Sequence, residues 1–425
     1  MAKAFVVAAP ASGSGKTMIT LGLLRAFKNR GVRVASAKAG PDYIDPRFHE
    51  AASGQTCFNL DPWAMPPEIS ANLLGSLDAD VIIIEGVMGL FDGPQGAKGS
   101  TADLAEDLGL PIVLVLDAAH QAQSIAALAQ GFLNFRQGLN FAGFILNRVA
   151  SDRHAALLTA ALAPLGLPIL GIVRRNDSLC WPSRHLGLIQ AQENQQLESF
   201  IESASSGVAR ETKLDNLLTI GSEFRFAATN QIILPPLGQR IAIARDLAFS
   251  FAYPHILESW RRAGAEVFFF SPLKNETPKA DADAIFLPGG YPELHAGPLS
   301  QNQNFLNGLR NSTALIYGEC GGFMVLGDAI IDAQGQSHAM AGLLPLTTSF
   351  ATRKLHLGYR QLLPLNGPWT KPLRAHEFHY STIENEGKAD RLFEARDAAG
   401  AALGSIGLRR GNVTGSYAHI ICEAP

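Results

Sequence analysis

Up to about residue 222 the chain alternates short apolar runs with stretches of helical periodicity. The runs at 4–9, 32–37, 81–84, 112–116, 141–146 and 169–173 are continuously apolar rather than alternating, which predicts strands of a parallel sheet covered on both faces. Between the first two, Ile19, Leu23, Ala26 and Phe27 fall on one helical face, and Gly31 follows Arg30 as a C-terminal stop. From Gln190 to about Gln231 the composition turns to Gln, Glu, Ser and Asn, and Leu234-Pro235-Pro236-Leu237-Gly238 then interrupts every regular pattern. Residues 223–238 therefore read as a linker between a domain at 1–222 and another at 239–425. The second half repeats the α/β grammar, with strands expected at 241–244, 267–270, 284–287 and 314–317.

Composition narrows the class. The 425 residues suit two or three domains, and 47% hydrophobic against 17% charged residues describes a globular chain able to bury large cores. A formal net charge of −3 gives no reason to expect DNA or another nucleic acid as a partner. Cys57, Cys180, Cys320 and Cys422 lie far apart with no C-x-x-C pair, so neither a zinc site nor a disulfide framework is indicated and a reducing cytoplasm is expected. No apolar stretch is long enough to span a membrane, and the apolar start runs into a Gly-Lys-Thr turn rather than a signal cleavage site.

Ser12-Gly13-Ser14-Gly15-Lys16-Thr17 sits between the first strand and the first helix, where a phosphate-binding loop belongs. Its glycines let backbone N–H groups curl around phosphate oxygens, Lys16 reaches the terminal phosphates, and the Thr17 hydroxyl suits Mg²⁺. Pro10 replaces the usual first glycine. Two acidic clusters follow at strand ends: Lys38-Ala39-Gly40-Pro41-Asp42-Tyr43-Ile44-Asp45-Pro46 and Glu85-Gly86-Val87-Met88-Gly89-Leu90-Phe91-Asp92-Gly93. In an open parallel sheet both should face one nucleotide crevice, with Glu85 the Mg²⁺ ligand candidate because it ends an apolar strand. Asp42, Asp45 and Asp92 also fit plain turn roles beside Pro and Gly. Asn147 closes another strand, where it could pair with adenine or cap the strand end.

In the second half, Gly318-Glu319-Cys320-Gly321-Gly322 stands between an apolar strand and Phe323-Met324-Val325-Leu326. This is the thiol counterpart of a nucleophile elbow, and the helix N-terminus behind it is expected to lower the thiol pKa. Gly289 and Gly290, in Leu287-Pro288-Gly289-Gly290-Tyr291-Pro292-Glu293, could supply oxyanion N–H groups together with Gly321. As the base, His376, His379 and His419 all qualify by composition alone.

Taken in order, these motifs, with Arg184-His185-Leu186-Gly187-Leu188, Ala242-Ile243-Ala244-Arg245-Asp246, His376-Glu377-Phe378-His379-Tyr380-Ser381 and the terminal Ser416-Tyr417-Ala418-His419, cover nearly the whole chain. They resemble the cobyrinic acid a,c-diamide synthase family, in its cobalt-containing or metal-free hydrogenobyrinic form. The resemblance implies a dethiobiotin-synthetase-like, parallel-sheet P-loop domain followed by a class I glutamine amidotransferase-like α/β domain. It further implies ATP, Mg²⁺, L-glutamine and a corrin polycarboxylate as ligands, Cys320 as nucleophile and His419 as its base. Ser12 to Thr17, Lys38 and Asn147 would bind ATP, Thr17 and Glu85 the metal, and Asp42, Tyr43, Ile44, Asp45 and Asp92 the acceptor. Class I glutaminases carry a Glu two residues beyond the histidine; here that position is Ile421, so a Cys–His dyad is expected. A homodimer is a further expectation, as is a cluster of Lys and Arg at the acceptor cleft, because the acceptor is strongly anionic. The rivals are a synthetase for a related tetrapyrrole, such as cobyric acid or nickel sirohydrochlorin, and a partitioning-type ATPase. Against the latter, Ala11 stands where the deviant loop carries its extra lysine.

Overall fold

The structure, a computed structural model, describes residues 2–176, 196–223 and 232–424. The segment Arg184 to Leu188, Cys180 and half of the expected linker lie outside the described residues. The chain divides into two compact units, Met1–Gly93 with Lys98–Thr229, and Pro94–Ala97 with Asn230–Pro425.

The first unit is built on β1 (Lys3–Ala8), β2 (Val34–Ala39), β3 (Phe58–Leu60), β4 (Val81–Glu85), β5 (Ile112–Asp117), β6 (Phe141–Val149), β7 (Ile169–Arg174) and β8 (Ser222–Glu223). The sheet runs β3-β2-β4-β1-β5-β6-β7 with every pair parallel, while β8 lies antiparallel to β1. Phe5, Val6 and Val7 on β1, Ile82 to Ile84 on β4 and Ile112 to Leu116 on β5 are fully buried, as continuous apolar runs in a sheet covered on both faces must be. Each such side chain contributes about 1.5–3 kcal/mol relative to exposure. The three-residue β3 carries too short a pattern to be read from sequence.

The helix Lys16–Asn29 buries Ile19, Leu23, Ala26 and Phe27 as expected, but Leu21 and Leu24 are buried too. The polar stretch near residue 200 explains this. Leu197–Glu211 forms a helix whose buried Ile201, Ala204 and Val208 cover the other side. The two helices approach so closely at Gly22 that a Cβ there would stand 2.5 Å from Val208 Cγ2. Buried Arg25 is paired at this seam with Glu198 and Glu202.

The second unit begins as predicted, with β9 (Arg240–Ala244), β10 (Glu266–Phe270), β11 (Ala284–Leu287) and β12 (Leu315–Glu319). These pair in parallel in the order β10-β9-β11-β12, and Val413–Ser416 joins parallel to β12. The α/β alternation stops after the helix Gly321–Leu326. From there the sheet continues antiparallel through Ala402–Arg410, Asp390–Arg396, His356–Pro364, Leu373–His379 and His419–Glu423. Direct antiparallel neighbours need no helical crossover, so helices give way to short turns. Phe249, Phe305, Ile316, Phe323, Val325 and Leu326 anchor the core beneath the elbow.

Candidate active site

At the nucleotide end, each expected residue stands at the carboxyl end of a parallel strand, where α/β sheets bind ligands. Gly13 and Gly15 have φ of 79° and 91°, a region that favours glycine, so the loop after β1 needs them. Ser14 Oγ donates to the Ala11 carbonyl at 2.9 Å. Lys16 Nζ donates to the Met88 carbonyl at 2.5 Å, which ties the loop to the segment after β4. Burial lowers its pKa, with Glu85 opposing that shift.

β2 and β4 pair with Lys38 directly beside Glu85. Lys38 Nζ lies 3.0 Å from Glu85 Oε1, 2.7 Å from Asp45 Oδ2 and 3.7 Å from Asp42 Oδ2. Thr17 Oγ1 donates to Glu85 Oε1 at 2.6 Å and stands 3.4 Å from Asp45 Oδ2. Burial works against ionisation of Glu85, but Lys38 and His49 outweigh it and hold the carboxyl well below the ordinary range. Burial also lowers Lys38, yet Asp45 and Glu85 together raise it. A hydroxyl and carboxylates offer only hard oxygen donors, a set that suits Mg²⁺.

Asp45 thus stands with Thr17 and Glu85 rather than apart from them. Asp42 Oδ1 accepts the Ile44 and Asp45 N–H groups at 2.8 and 3.0 Å, so the turn role is realised, and Tyr43 and Ile44 are buried. Asp92 Oδ2 accepts the Gly89 N–H at 2.7 Å. Asn147 is buried and its amide donates to the Ser14 carbonyl at 2.9 Å, so it braces the loop's backbone. Lys16 and Lys38 face Asp45 and Glu85, which makes this a charge-balanced cluster. Sequence reading missed His49, fully buried with Nε2 2.7 Å from Glu85 Oε2. Its spacing four residues after Asp45, on the helix Asp45–Ser53, was the available signal.

At the thiol end, Cys320 has φ 47° and ψ −103°, outside the regions a side chain normally adopts, as an elbow requires. Its N–H donates to the Ser416 carbonyl at 2.8 Å, and Sγ lies 3.9 Å from the Phe378 carbonyl oxygen. Gly321 stands so close to β11's following turn that a Cβ there would meet the Gly290 nitrogen at 3.1 Å. A Cβ at Gly290 would stand 2.1 Å from the Ala248 carbonyl oxygen. The structure therefore gathers Gly289, Gly290 and Gly321 at one place, with His419 against Gly289.

The thiol pKa departs from expectation. Burial raises it well above an ordinary thiol's, Glu293 adds to this, and the N–H of Gly321 only partly offsets them. A helix of six residues cannot outweigh that desolvation. His419, fully buried, is pushed down to about 3 by burial and then by His376 and His379. At rest Cys320 is a thiol and His419 a neutral imidazole.

His376 pairs across the strands with His419, while His379 bonds Glu377 at 2.9 Å. Among the described residues, His356, Glu377 and His379 bring ligand atoms within 4.8 Å of one another, but Arg360 Nε already sits 2.7 Å from Glu377 Oε2. That guanidinium disfavours a second cation there. No described helix is long and apolar enough to cross a membrane.

Residues 5–189, which hold the phosphate-loop cluster, match the CobQ/CobB/MinD/ParA nucleotide binding domain. Residues 240–425, which hold Cys320 and His419, match the CobB/CobQ-like glutamine amidotransferase domain. The chain is 58% identical to the hydrogenobyrinate a,c-diamide synthase of Brucella anthropi, over 99% of this chain and 98% of that one. It is 52% identical to the enzyme of that name from a Sinorhizobium species, over 98% of each chain, and 50% identical to that of Rhodobacter capsulatus, over 99% and 98%. With both domain families in order and such identity along its whole length, the chain belongs to the hydrogenobyrinate a,c-diamide synthase family.

Proposed function

We propose that this chain uses ATP and glutamine to convert the a- and c-side-chain carboxylates of hydrogenobyrinic acid to amides, a step of cobalamin biosynthesis. The observation that carries this reading is the presence, in one chain similar end to end to synthases of that name, of both a phosphate-loop cluster and a cysteine elbow. The metal-free acceptor is favoured over its cobalt form because the relatives are named for it.

The loop Ser12 to Thr17 cradles the phosphates of ATP, with Asn147 holding that loop in shape. A substrate carboxylate attacks the γ-phosphorus in line, forming an acyl phosphate and releasing ADP. Lys16 and Lys38 stand where negative charge accumulates. Mg²⁺, held by Thr17 and Glu85, supplies charge neutralisation on the phosphates when bound. Asp42, Asp45 and Asp92, with the backbone around Tyr43 and Ile44, border the acceptor.

In the other unit His419 takes the proton of Cys320 as sulfur attacks the glutamine side-chain carbonyl. The N–H groups of Gly289, Gly290 and Gly321 stabilise the oxyanion. Collapse, with His419 returning that proton to the leaving nitrogen, expels ammonia and leaves a thioester, which water hydrolyses to glutamate. The ammonia displaces phosphate from the acyl phosphate to give the amide, and the cycle repeats at the second carboxylate. A reduced Cys320 thiol fits a cytoplasmic setting.

Incubation with ATP, Mg²⁺, glutamine and either hydrogenobyrinic or cobyrinic acid, read by mass spectrometry, tests this. Two carboxylate-to-amide conversions on hydrogenobyrinic acid are expected. Conversion of cobyrinic acid alone, or of neither acceptor, would overturn the assignment.

A further inference from the structure

The glutamate that class I glutaminases place two residues beyond the histidine is absent here, and Ile421 in its place is buried. A carboxyl group reaches His419 from another strand. Glu319 ends β12 immediately before Cys320 and is 3% exposed. Its Oε2 lies 3.9 Å from His419 Nδ1, and its Oε1 accepts the N–H of Ile420 at 3.1 Å. Strand register makes this possible: β12 pairs in parallel with Val413–Ser416, Glu319 opposite Ser416, and the chain returns at His419 three residues later.

We propose that Glu319 is the positioning residue for His419, holding its imidazole from the Nδ1 side and compensating the positive charge that forms as His419 takes the Cys320 proton. The proposal rests on the assignment of Cys320 and His419 made above. One elbow then carries both the nucleophile and the carboxyl group that orients its base. At 3.9 Å the contact is longer than a hydrogen bond but within strong Coulomb reach in a dry site, and such contacts tighten in the substrate complex.

Burial pushes the Glu319 carboxyl up to about 8, against the N–H of Ile420 and the Tyr317 hydroxyl. At neutral pH a neutral acid thus faces a neutral imidazole; Glu319 ionises as pH rises through about 8, the form that compensates charge arising on His419. Tyr317 and Cys320 face Glu319, while His376, His379 and Glu377 act on His419 from the neighbouring strand Leu373–His379. A purely structural role would need only an acceptor for the Ile420 N–H, which glutamine supplies equally well.

The test is glutamine hydrolysis by Glu319→Gln and Glu319→Asp across pH. Glu319→Gln is expected to lower kcat roughly ten- to a hundredfold with KM within about twofold, and to remove the wild-type titration near 8. Glu319→Asp keeps the carboxyl group on a shorter arm and is expected to recover part of kcat. Wild-type kcat and pH profile in Glu319→Gln would overturn the proposal. So would equal losses in both variants with the pH profile unchanged. Cys320→Ser is the separate control: glutamine hydrolysis surviving in it would overturn the nucleophile assignment itself.

Discussion

The imidazole of His419 points its Cε1 edge at Gly289, so close that a Cβ built there would stand 2.2 Å from Cε1. Gly289 vacates the volume that the His419 ring occupies. Gly289→Ala should displace the ring and lower glutamine hydrolysis by at least roughly a hundredfold, the order lost when a general base is misplaced. Amidation driven by free ammonia should persist. Glutamate release at the wild-type rate would contradict the contact.

Two chemistries on two units should be separable. Lys16→Ala is expected to abolish ATP-dependent amide formation with either nitrogen source, because the proposed function assigns Lys16 to the terminal phosphates. Cys320→Ser should abolish use of glutamine while added ammonia still supports the reaction. Product mass after each incubation reads both outcomes, and loss of the ammonia reaction in Cys320→Ser would refute the division.

His49 locks the orientation of Glu85 from behind, through its 2.7 Å contact. His49→Gln removes one positive partner from a buried carboxylate that Lys38, with Lys16 nearby, must then balance. The Mg²⁺ concentration for half-maximal ATP turnover should rise roughly ten- to a hundredfold, as when a group supporting a metal ligand is lost. An unchanged Mg²⁺ dependence would show that Lys38 suffices.

His255 should give the second unit an acid sensitivity. It is fully buried on the helix Pro254–Arg262, with Nε2 2.9 Å from the Ile421 carbonyl oxygen, and burial lowers its pKa to about 4 from 6.5. The folded state holds it neutral while the unfolded chain protonates it near 6.5, so its contribution is complete above 6.5 and lost as pH falls toward 4. The loss is on the order of 3 kcal/mol. Denaturant melts at intervals through that window should show the slope in the wild type and a flatter one in His255→Gln.

Much of this was legible in the linear chain because local chemistry carried it. Continuous apolar runs announced the parallel sheet, and Gly13, Gly15, Lys16 and Thr17 between strand and helix announced the phosphate loop. Cys320 between glycines announced the elbow. In each case the residues that make the feature are neighbours in sequence. The helix Leu197–Glu211 was hidden by its polar surface, since only its narrow buried stripe meets the helix Lys16–Asn29. The antiparallel half after Leu326 was hidden for a different reason: several of its strands, such as His356–Pro364 and Ala402–Arg410, are only partly buried and lack a strong apolar run.

The sequence by itself thus determined which reactive groups the chain owns and the order of its domains. Tertiary structure decided which groups meet and in what state of protonation. Glu319 reaches His419, a hundred residues away, only because two strands pair in one register, and His49 reaches Glu85 only because a helix lies behind β4's end. The thiol at Cys320 stays protonated for the same kind of reason: desolvation depends on everything packed around a group, and that sum is not written at any one position.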